Sequence, residues 1–152
     1  MSRYTFSVDV AAPPERVFDL WTDLDRIHEW IGGVSRVTDV SGPIDRVGAR
    51  YTVWFGKMAS PTEVIAVERP RHFRTRFGNR LLRGINDARF EPTDGRTRVE
   101  QIFETEGLVS ALFARIFATG SYKGSFRGEL EAFARLAERR EPEASQLPSN
   151  RR

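Results

Sequence analysis

The side chains best suited to chemistry in this sequence are the histidines His28 and His72 and the lysine Lys123. The sequence contains no cysteine, which excludes thiolate catalysis and cysteine-ligated metals. The histidines form neither a His-x-x-x-His nor a Glu-x-x-His pair, so we expect no metal site. A Gly-x-Ser-x-Gly nucleophile motif and a phosphate-binding loop are also absent from the sequence. The residue types by themselves specify no reaction, and we expect no cofactor.

Lys123 lies in a long amphipathic pattern near the C-terminus. Residues at alternating steps of four and three predict one helix from about Val109 to Arg139, and they are Leu112, Ile116, Thr119, Lys123, Phe126, Leu130, Phe133 and Ala137. A buried lysine on this face would have a lowered pKa, suited to enolate or Schiff-base chemistry. The commoner arrangement directs the ammonium group to the mouth of a cavity, and the sequence leaves both readings open.

The N-terminal part predicts one strand followed by two short helices. Residues 4–10 alternate apolar and polar side chains, as a half-buried strand does. Pro13-Pro14 ends this strand and suits the first turn of a helix. Asp23 can cap a second short helix, which Gly32-Gly33 ends.

Six further strands are predicted between this region and the long helix. The segments alternate with period two and are separated by turn signals: SRVTDV, GARYTVWFG, PTEVIAVE, HFRTRFG, LLRGINDARFEP and TRVEQIFETEG. Because the connections are short, neighbouring strands should pair antiparallel. The predicted class is α+β, with a seven-stranded antiparallel sheet covered by one long helix.

A cavity is expected between the curved sheet and its helices, because a single helix cannot fill the whole concave side. Thr75, Asn86 and Gln101 are polar but share their strand faces with large apolar residues. A buried polar group without a partner costs about 1–3 kcal/mol, so these groups either bond each other or water, or orient a polar group on a ligand. The predicted ligand-binding residues are Trp30, Tyr51, Trp54, Phe73, Thr75, Phe77, Asn86, Gln101, Phe103, Ile116, Thr119 and Lys123.

Four aromatic residues receive separate expectations. Trp21 should pack between the first short helix and the sheet, whereas Trp30, just before the glycine pair, should belong to a gate at the cavity rim. Tyr51 and Trp54 are three residues apart on one strand and therefore point to opposite faces. Alternation favours Tyr51 inside, and a bulge at WFGKM would reverse the two, so both remain candidates.

The charge distribution offers one further surface. The net charge is +3, and residues 69–83 contain six arginines and no carboxylate. This stretch could bind phosphate groups of a nucleic acid, but its alternation with Phe73 and Phe77 favours the solvated side of a strand. Nucleic acid is the less favoured partner.

Chain length and hydropathy set the remaining expectations. The 152 residues suggest one domain over residues 1–139, followed by a polar tail at 140–152 that we expect to be disordered. No apolar run reaches the ~18 residues of a membrane span, and the N-terminus lacks a signal-peptide pattern. The cytoplasm is the default location.

The sequence resembles the START/Bet v 1-like (SRPBCC) superfamily, especially its bacterial polyketide cyclase/dehydrase and lipid-transport branch. The resemblance covers roughly residues 2–138 and rests on VDVAAPPERVFDLWTDLDRIHEWI, VGARYTV, ARFEPTDGRTRVEQ and ELEAFARLAE in this order. It implies a helix-grip fold with a deep hydrophobic cavity. The activities it implies range from carrying hydrophobic ligands to cyclising polyketides, so the fold alone does not decide the function.

Binding of a hydrophobic or amphipathic small molecule is the function that these observations favour. The enzymatic alternative is a cyclase/aromatase-like activity in which Lys123, Tyr122 or His28 would transfer protons. A cyclase needs a titratable group deep in the cavity, and a carrier does not. A homodimer is compatible with the residues.

Overall fold

The computed structural model describes residues 2–80, 82–110, 112 and 126–139. Three predicted ligand-binding residues, Ile116, Thr119 and Lys123, lie outside the described residues, as does the predicted tail at 140–152. The same holds for the middle of the predicted long helix. Residues 108–110 are helical, and the last part of that helix is described as a separate element below.

The structure is built on one seven-stranded sheet. Its strands are β1 (Ser2–Val10), β2 (Val34–Thr38), β3 (Arg50–Phe55), β4 (Met58–Glu68), β5 (His72–Gly78), β6 (Arg83–Thr93) and β7 (Arg96–Thr105). Their order across the sheet is β1-β7-β6-β5-β4-β3-β2, and every neighbouring pair is antiparallel. The predicted seven-stranded antiparallel sheet is therefore confirmed, and each period-two segment corresponds to one strand.

Two short helical segments follow β1. The first, α1 (Pro14–Trp21), has proline at its first position, where the missing N–H costs no helical hydrogen bond. The second is a 3-10 helix, η1 (Leu24–Glu29), whose start is capped by the Asp23 carboxylate accepting from the Asp25 amide at 3.2 Å. These segments close one end of the sheet.

The C-terminal helix, α2 (Phe126–Glu138), packs on the inner face of the sheet. Phe126 contacts Phe6 of β1 at a ring separation of 5.4 Å. At the other end of the helix, Glu138 accepts a hydrogen bond from the Ala11 amide at 2.9 Å. Phe126, Leu130 and Phe133, the residues that had to be buried for this arrangement to hold, are all buried.

An aromatic cluster forms the centre of the core. The Phe133 ring lies 5.0 Å from Trp21 and 4.8 Å from Trp30, and the two indoles are 4.8 Å apart. Trp21 is 8% exposed and Trp30 is 6% exposed. Both tryptophans are therefore buried on the same helix residue, and the assignment of Trp30 to a gate over the cavity stays a prediction.

The structure resolves the orientation of β3. Tyr51 is buried on the inner face, and Trp54 lies on the outer face. The Trp54 Nε1 donates to the Thr38 hydroxyl at 2.8 Å, and the Arg36 guanidinium stacks 4.3 Å from the ring centre. Placing Trp54 among the cavity residues was therefore wrong, and the alternation that favours Tyr51 inside was the better guide.

Within the described residues, none of the helices combines the length and apolar character needed to cross a bilayer.

Replacing Phe133 by alanine tests the aromatic cluster. The side chain is fully buried and contacts both tryptophans, so we expect the free energy of unfolding to fall by about 3–5 kcal/mol. Urea denaturation measures this loss. The control is Val47→Ala, at a residue 65% exposed, which should change stability by less than about 0.5 kcal/mol. Similar small losses in both variants would contradict a core centred on Phe133.

Candidate functional site

Three polar side chains lie side by side on the inner face of the central strands. Thr75 of β5 is opposite Asn86 of β6, and Asn86 is opposite Phe103 of β7. The Gln101 Nε2 donates to the Asn86 Oδ1 at 3.0 Å. The two amides thus bond each other, which was one of the two readings that the sequence left open. Each amide still has polar capacity beyond this single bond.

Aromatic rings surround these polar groups. Phe77 stacks on Phe103 at 5.2 Å, and Phe103 lies 4.4 Å from Phe126 of α2. Phe73 meets the Phe18 ring of α1 edge-on at 6.1 Å. The inner face therefore combines apolar walls with a few fixed polar groups, as small-molecule sites commonly do.

The Tyr51 hydroxyl is a second polar group on the inner face. Tyr51 is 7% exposed, and no group of the described residues hydrogen-bonds to its hydroxyl. Burial raises the pKa of Tyr51 above its ordinary value, because a phenolate would be poorly solvated there. The side chain is therefore a neutral phenol that can donate or accept one hydrogen bond.

Glu129 on α2 is a functional candidate that the sequence analysis missed. Only 8% of the residue is exposed, and its Oε2 accepts a hydrogen bond from the Gly32 amide at 3.2 Å. Burial raises the pKa of Glu129 to about 8, and the Gly32 N–H opposes this effect only in part. Arg127 and Glu131, the nearest charged residues on the helix, are exposed. Near neutral pH Glu129 is mostly a neutral carboxylic acid.

The sequence did contain a signal for this burial. Glu129 is three residues after Phe126 and four before Phe133, so a helix places all three on one face. The predicted stripe passed from Phe126 to Leu130 and Phe133 and left out Glu129, which lies beside Leu130 on the same face.

Trp30 presents a further unsatisfied group next to Glu129. Its Nε1 is buried and has no hydrogen-bond partner within the described residues. The indole packs on Phe133, one helical turn beyond Glu129, and Trp30 is two residues before Gly32. A buried N–H without a partner costs about 1–3 kcal/mol, so a ligand acceptor placed there would recover that loss.

The two histidines lie outside this interior. His28 is exposed on η1, and His72 is on the outer face of β5, where its Nε2 lies 2.5 Å from the buried Asp87 carboxylate. Asp87 also accepts from Arg74 at 3.3 Å and from Arg89 at 3.1 Å. The cluster compensates one buried charge on the outer face. Arg74 of β5 and Arg89 of β6 are thus ion-paired with Asp87.

The described ranges hold no group of three or more histidine, cysteine, aspartate or glutamate side chains that could bind a metal ion.

The fold defines a class of protein. A curved antiparallel sheet with a C-terminal helix across its concave face is the helix-grip arrangement. The family described as polyketide cyclase/dehydrase and lipid transport matches residues 1–138. The chain therefore belongs to this family, which confirms the resemblance drawn from the sequence.

Solved structures show the same fold at low sequence identity. The protein MLL2253 from Mesorhizobium loti is 16% identical, with a TM-score of 0.72 over 89% of this chain and 96% of that protein. CalU16 from Micromonospora echinospora is 14% identical, with a TM-score of 0.66 over 98% of this chain and 82% of that protein. DynU16, a protein from the dynemicin biosynthetic locus, is 20% identical, with a TM-score of 0.69 over 91% of this chain and 48% of that one. Among curated proteins, none matches the chain.

Glu129 makes stability depend on pH in a defined direction. Its pKa in the folded protein, about 8, exceeds the ordinary 4.5, so the unfolded chain releases a proton that the folded chain keeps between these values. The stabilisation associated with Glu129 is complete below pH 4.5 and is lost as the pH rises through 8. Between pH 5 and pH 8, we expect the wild type to lose on the order of 3 kcal/mol of unfolding free energy relative to Glu129→Gln.

Urea denaturation of both proteins at both pH values measures this difference. The matched control is Glu131→Gln, an exposed glutamate on the same helix, which should follow the wild type at each pH. A stability gap between the wild type and Glu129→Gln that stays constant with pH would show that Glu129 is ionised throughout.

Proposed function

We propose that the protein binds a hydrophobic or amphipathic small molecule between the inner face of the sheet and the helices that cover it. The observation that carries this proposal is the buried Trp30 Nε1, which has no hydrogen-bond partner within the described residues, on an aromatic interior that also holds the Tyr51 side chain. Such a group is costly unless something else satisfies it. A bound molecule that carries a carbonyl or hydroxyl group would do so.

The apolar walls would supply most of the affinity. Phe77, Phe103 and Phe126 form a continuous aromatic surface. Covering apolar surface contributes about 25 cal/mol per Å², so a ligand of moderate size gains several kcal/mol there before its own losses are counted. The remaining proposed lining residues are Phe73, Thr75, Asn86 and Gln101 and, outside the described residues, Ile116, Thr119 and Lys123.

The polar groups would set specificity rather than affinity. A site built to bond a hydroxyl discriminates strongly against an analogue that lacks it, because its own polar groups then stay unpaired. Tyr51 can donate and accept, whereas Trp30 can only donate. The proposed ligand is therefore mostly apolar and carries at least one hydrogen-bond acceptor.

The substitution Tyr51→Phe distinguishes a role of the hydroxyl in ligand binding from a role in protein stability. The hydroxyl has no partner in the described protein, so its removal should leave the free energy of unfolding unchanged or slightly raised. We expect the variant to bind 2-naphthol about 5–10-fold more weakly, which corresponds to the loss of one hydrogen bond, and 2-methylnaphthalene as tightly as the wild type. Titration followed by ligand fluorescence measures both affinities.

The control for this experiment is Thr52→Val. It removes a hydroxyl from the adjacent residue of β3, whose side chain points to the other face of the sheet. Equal affinities of the wild type and both variants for 2-naphthol would remove Tyr51 from the site. Failure of the wild type to bind either probe, together with no molecule co-purifying in native mass spectrometry, would reject the binding proposal.

A polyketide cyclase-like activity is the second candidate, and Glu129 is the observation that favours it. In an intramolecular aldol reaction, a bond forms between an enol carbon and a ketone carbon while the ketone oxygen takes up a proton. A neutral Glu129 can donate that proton, and the resulting carboxylate can accept the proton that the enol releases. The new carbon–carbon bond closes the ring, and loss of water from the resulting alcohol then forms a carbon–carbon double bond. Glu129 meets the requirement for a titratable group in the interior.

Glu129→Gln tests this second candidate with a poly-β-ketone thioester as substrate. General acid catalysis contributes about 10²–10⁴-fold, so we expect the rate of cyclisation to fall by at least 10²-fold while 2-naphthol binding is retained. Mass spectrometry follows the loss of water from the substrate. A wild type that binds the thioester without cyclising it would leave ligand binding as the function and exclude the cyclase.

A further inference from the structure

One end of the sheet combines features that the proposed interior site does not use. Three features lie at this end because the strands are antiparallel. They are the turn between β3 and β4, the turn that follows Gly78 of β5, and the chain leaving β7 after Thr105. The β6–β7 hairpin lies at the opposite end. We call the end of the sheet that holds the β3–β4 turn the basic end, since Lys57, Arg80 and Arg83 belong to it.

A groove of about 600 Å³ opens beside the basic end. Its charged lining residues are Arg50, Glu63, Arg76, Arg80, Arg83 and Glu106. Arg76 alternates with the buried Thr75 on β5, so its side chain lies on the outer face, away from the proposed ligand cavity. The groove also includes Phe77, one of the proposed interior lining residues, so its arginines border the interior site from the outside.

The groove carries a net positive charge, because four arginines line it with two glutamates. Arg83 and Glu106 form an exposed ion pair at 3.7 Å. The other three guanidinium groups, those of Arg50, Arg76 and Arg80, form no ion pair within the described residues, although Glu63 lies opposite two of them in the strand register. Guanidinium groups arranged in this way can bind phosphate oxygens of a partner.

An exposed apolar patch directly adjoins the groove. Leu108 is 90% exposed, Leu112 59% and Val109 48%. Between them, the Ser110 hydroxyl accepts a hydrogen bond from the Arg83 amide at 3.0 Å. The Arg83 Nη2 lies 3.2 Å from the place that a Cβ on Gly107 would occupy. Arg83 therefore links the charged groove to the apolar patch.

We propose that this surface docks on a bilayer containing anionic lipids. The arginines would bind lipid phosphates while Leu108, Val109 and Leu112 enter the interface between headgroups and acyl chains. The leucines favour a bilayer over a nucleic acid, because a nucleic acid backbone would satisfy the arginines and leave the apolar patch in water. Docking is independent of the identity of the interior ligand.

Co-sedimentation with vesicles tests the proposal. Wild-type protein should bind vesicles of equal phosphatidylglycerol and phosphatidylcholine, bind pure phosphatidylcholine weakly, and dissociate as salt is raised. The double variant Arg76→Gln/Arg80→Gln should bind the anionic vesicles about 30-fold more weakly, as expected for two basic residues at the surface. Leu108→Ser/Leu112→Ser should also weaken binding, at every salt concentration.

The matched control is Arg71→Gln/Arg96→Gln, which removes the same charge from exposed positions at the opposite end of the sheet. It should bind close to wild type. Equal losses in both arginine variants would show attraction by net charge alone and overturn the proposal. Failure of the wild type to bind anionic vesicles would also overturn it. A third contradicting outcome is that the arginine variant loses vesicle binding, the leucine variant keeps it, and the wild type binds a DNA duplex tightly. Thermal melting checks folding, and 2-naphthol binding in the same variants reports separately on the interior site.

Discussion

The contact of Phe133 with the two tryptophans is the interaction on which the rest of the structure depends. A sheet with one apolar face is stable only when another layer covers that face. The Phe133 ring lies about equally close to Trp21 and Trp30, so one helix residue fixes α1, the end of η1 and the C-terminal helix together. Phe126 then sets where the other end of α2 meets the sheet, against Phe6 and Phe103.

This anchoring explains how polar groups can persist in the interior. Tight aromatic packing at one end supplies stability that offsets the cost of burying Glu129, Tyr51 and the Trp30 N–H. Polar groups that cost stability yet remain in a small domain are more easily understood as parts of a site than as parts of a core. The outer face shows the opposite case: the buried Asp87 is compensated by Arg74, Arg89 and His72, and its role is structural.

Much of the fold followed from local pattern, whereas parts of the site did not. Period-two alternation predicted every strand, and the same alternation favoured Tyr51 inside, because side-chain direction in a strand is fixed by parity. Trp54 was wrongly kept as a cavity residue because a bulge at WFGKM, which would have reversed the two side chains, was considered possible. Glu129 was missed although its spacing from Phe126 and Phe133 places it on the buried face, and its contact with Gly32 is a tertiary one that the spacing does not predict. The contact of Trp30 with Trp21 and Phe133 also lay beyond the sequence, since the neighbours of a ring are set by the tertiary fold.

The hydrogen bond from Gly32 to Glu129 couples proton uptake to whatever fills the interior. A molecule that excludes the last water from this carboxyl, or brings a positive charge to it, changes the number of protons held by the protein. By reciprocity, the affinity for such a molecule must then vary with pH to the same extent. The heat of binding would then include the ionisation enthalpy of the buffer, because the buffer supplies or takes up the exchanged protons. A single carboxyl linked to the backbone just before β2 would thus make binding at the proposed interior site a proton-exchange reaction.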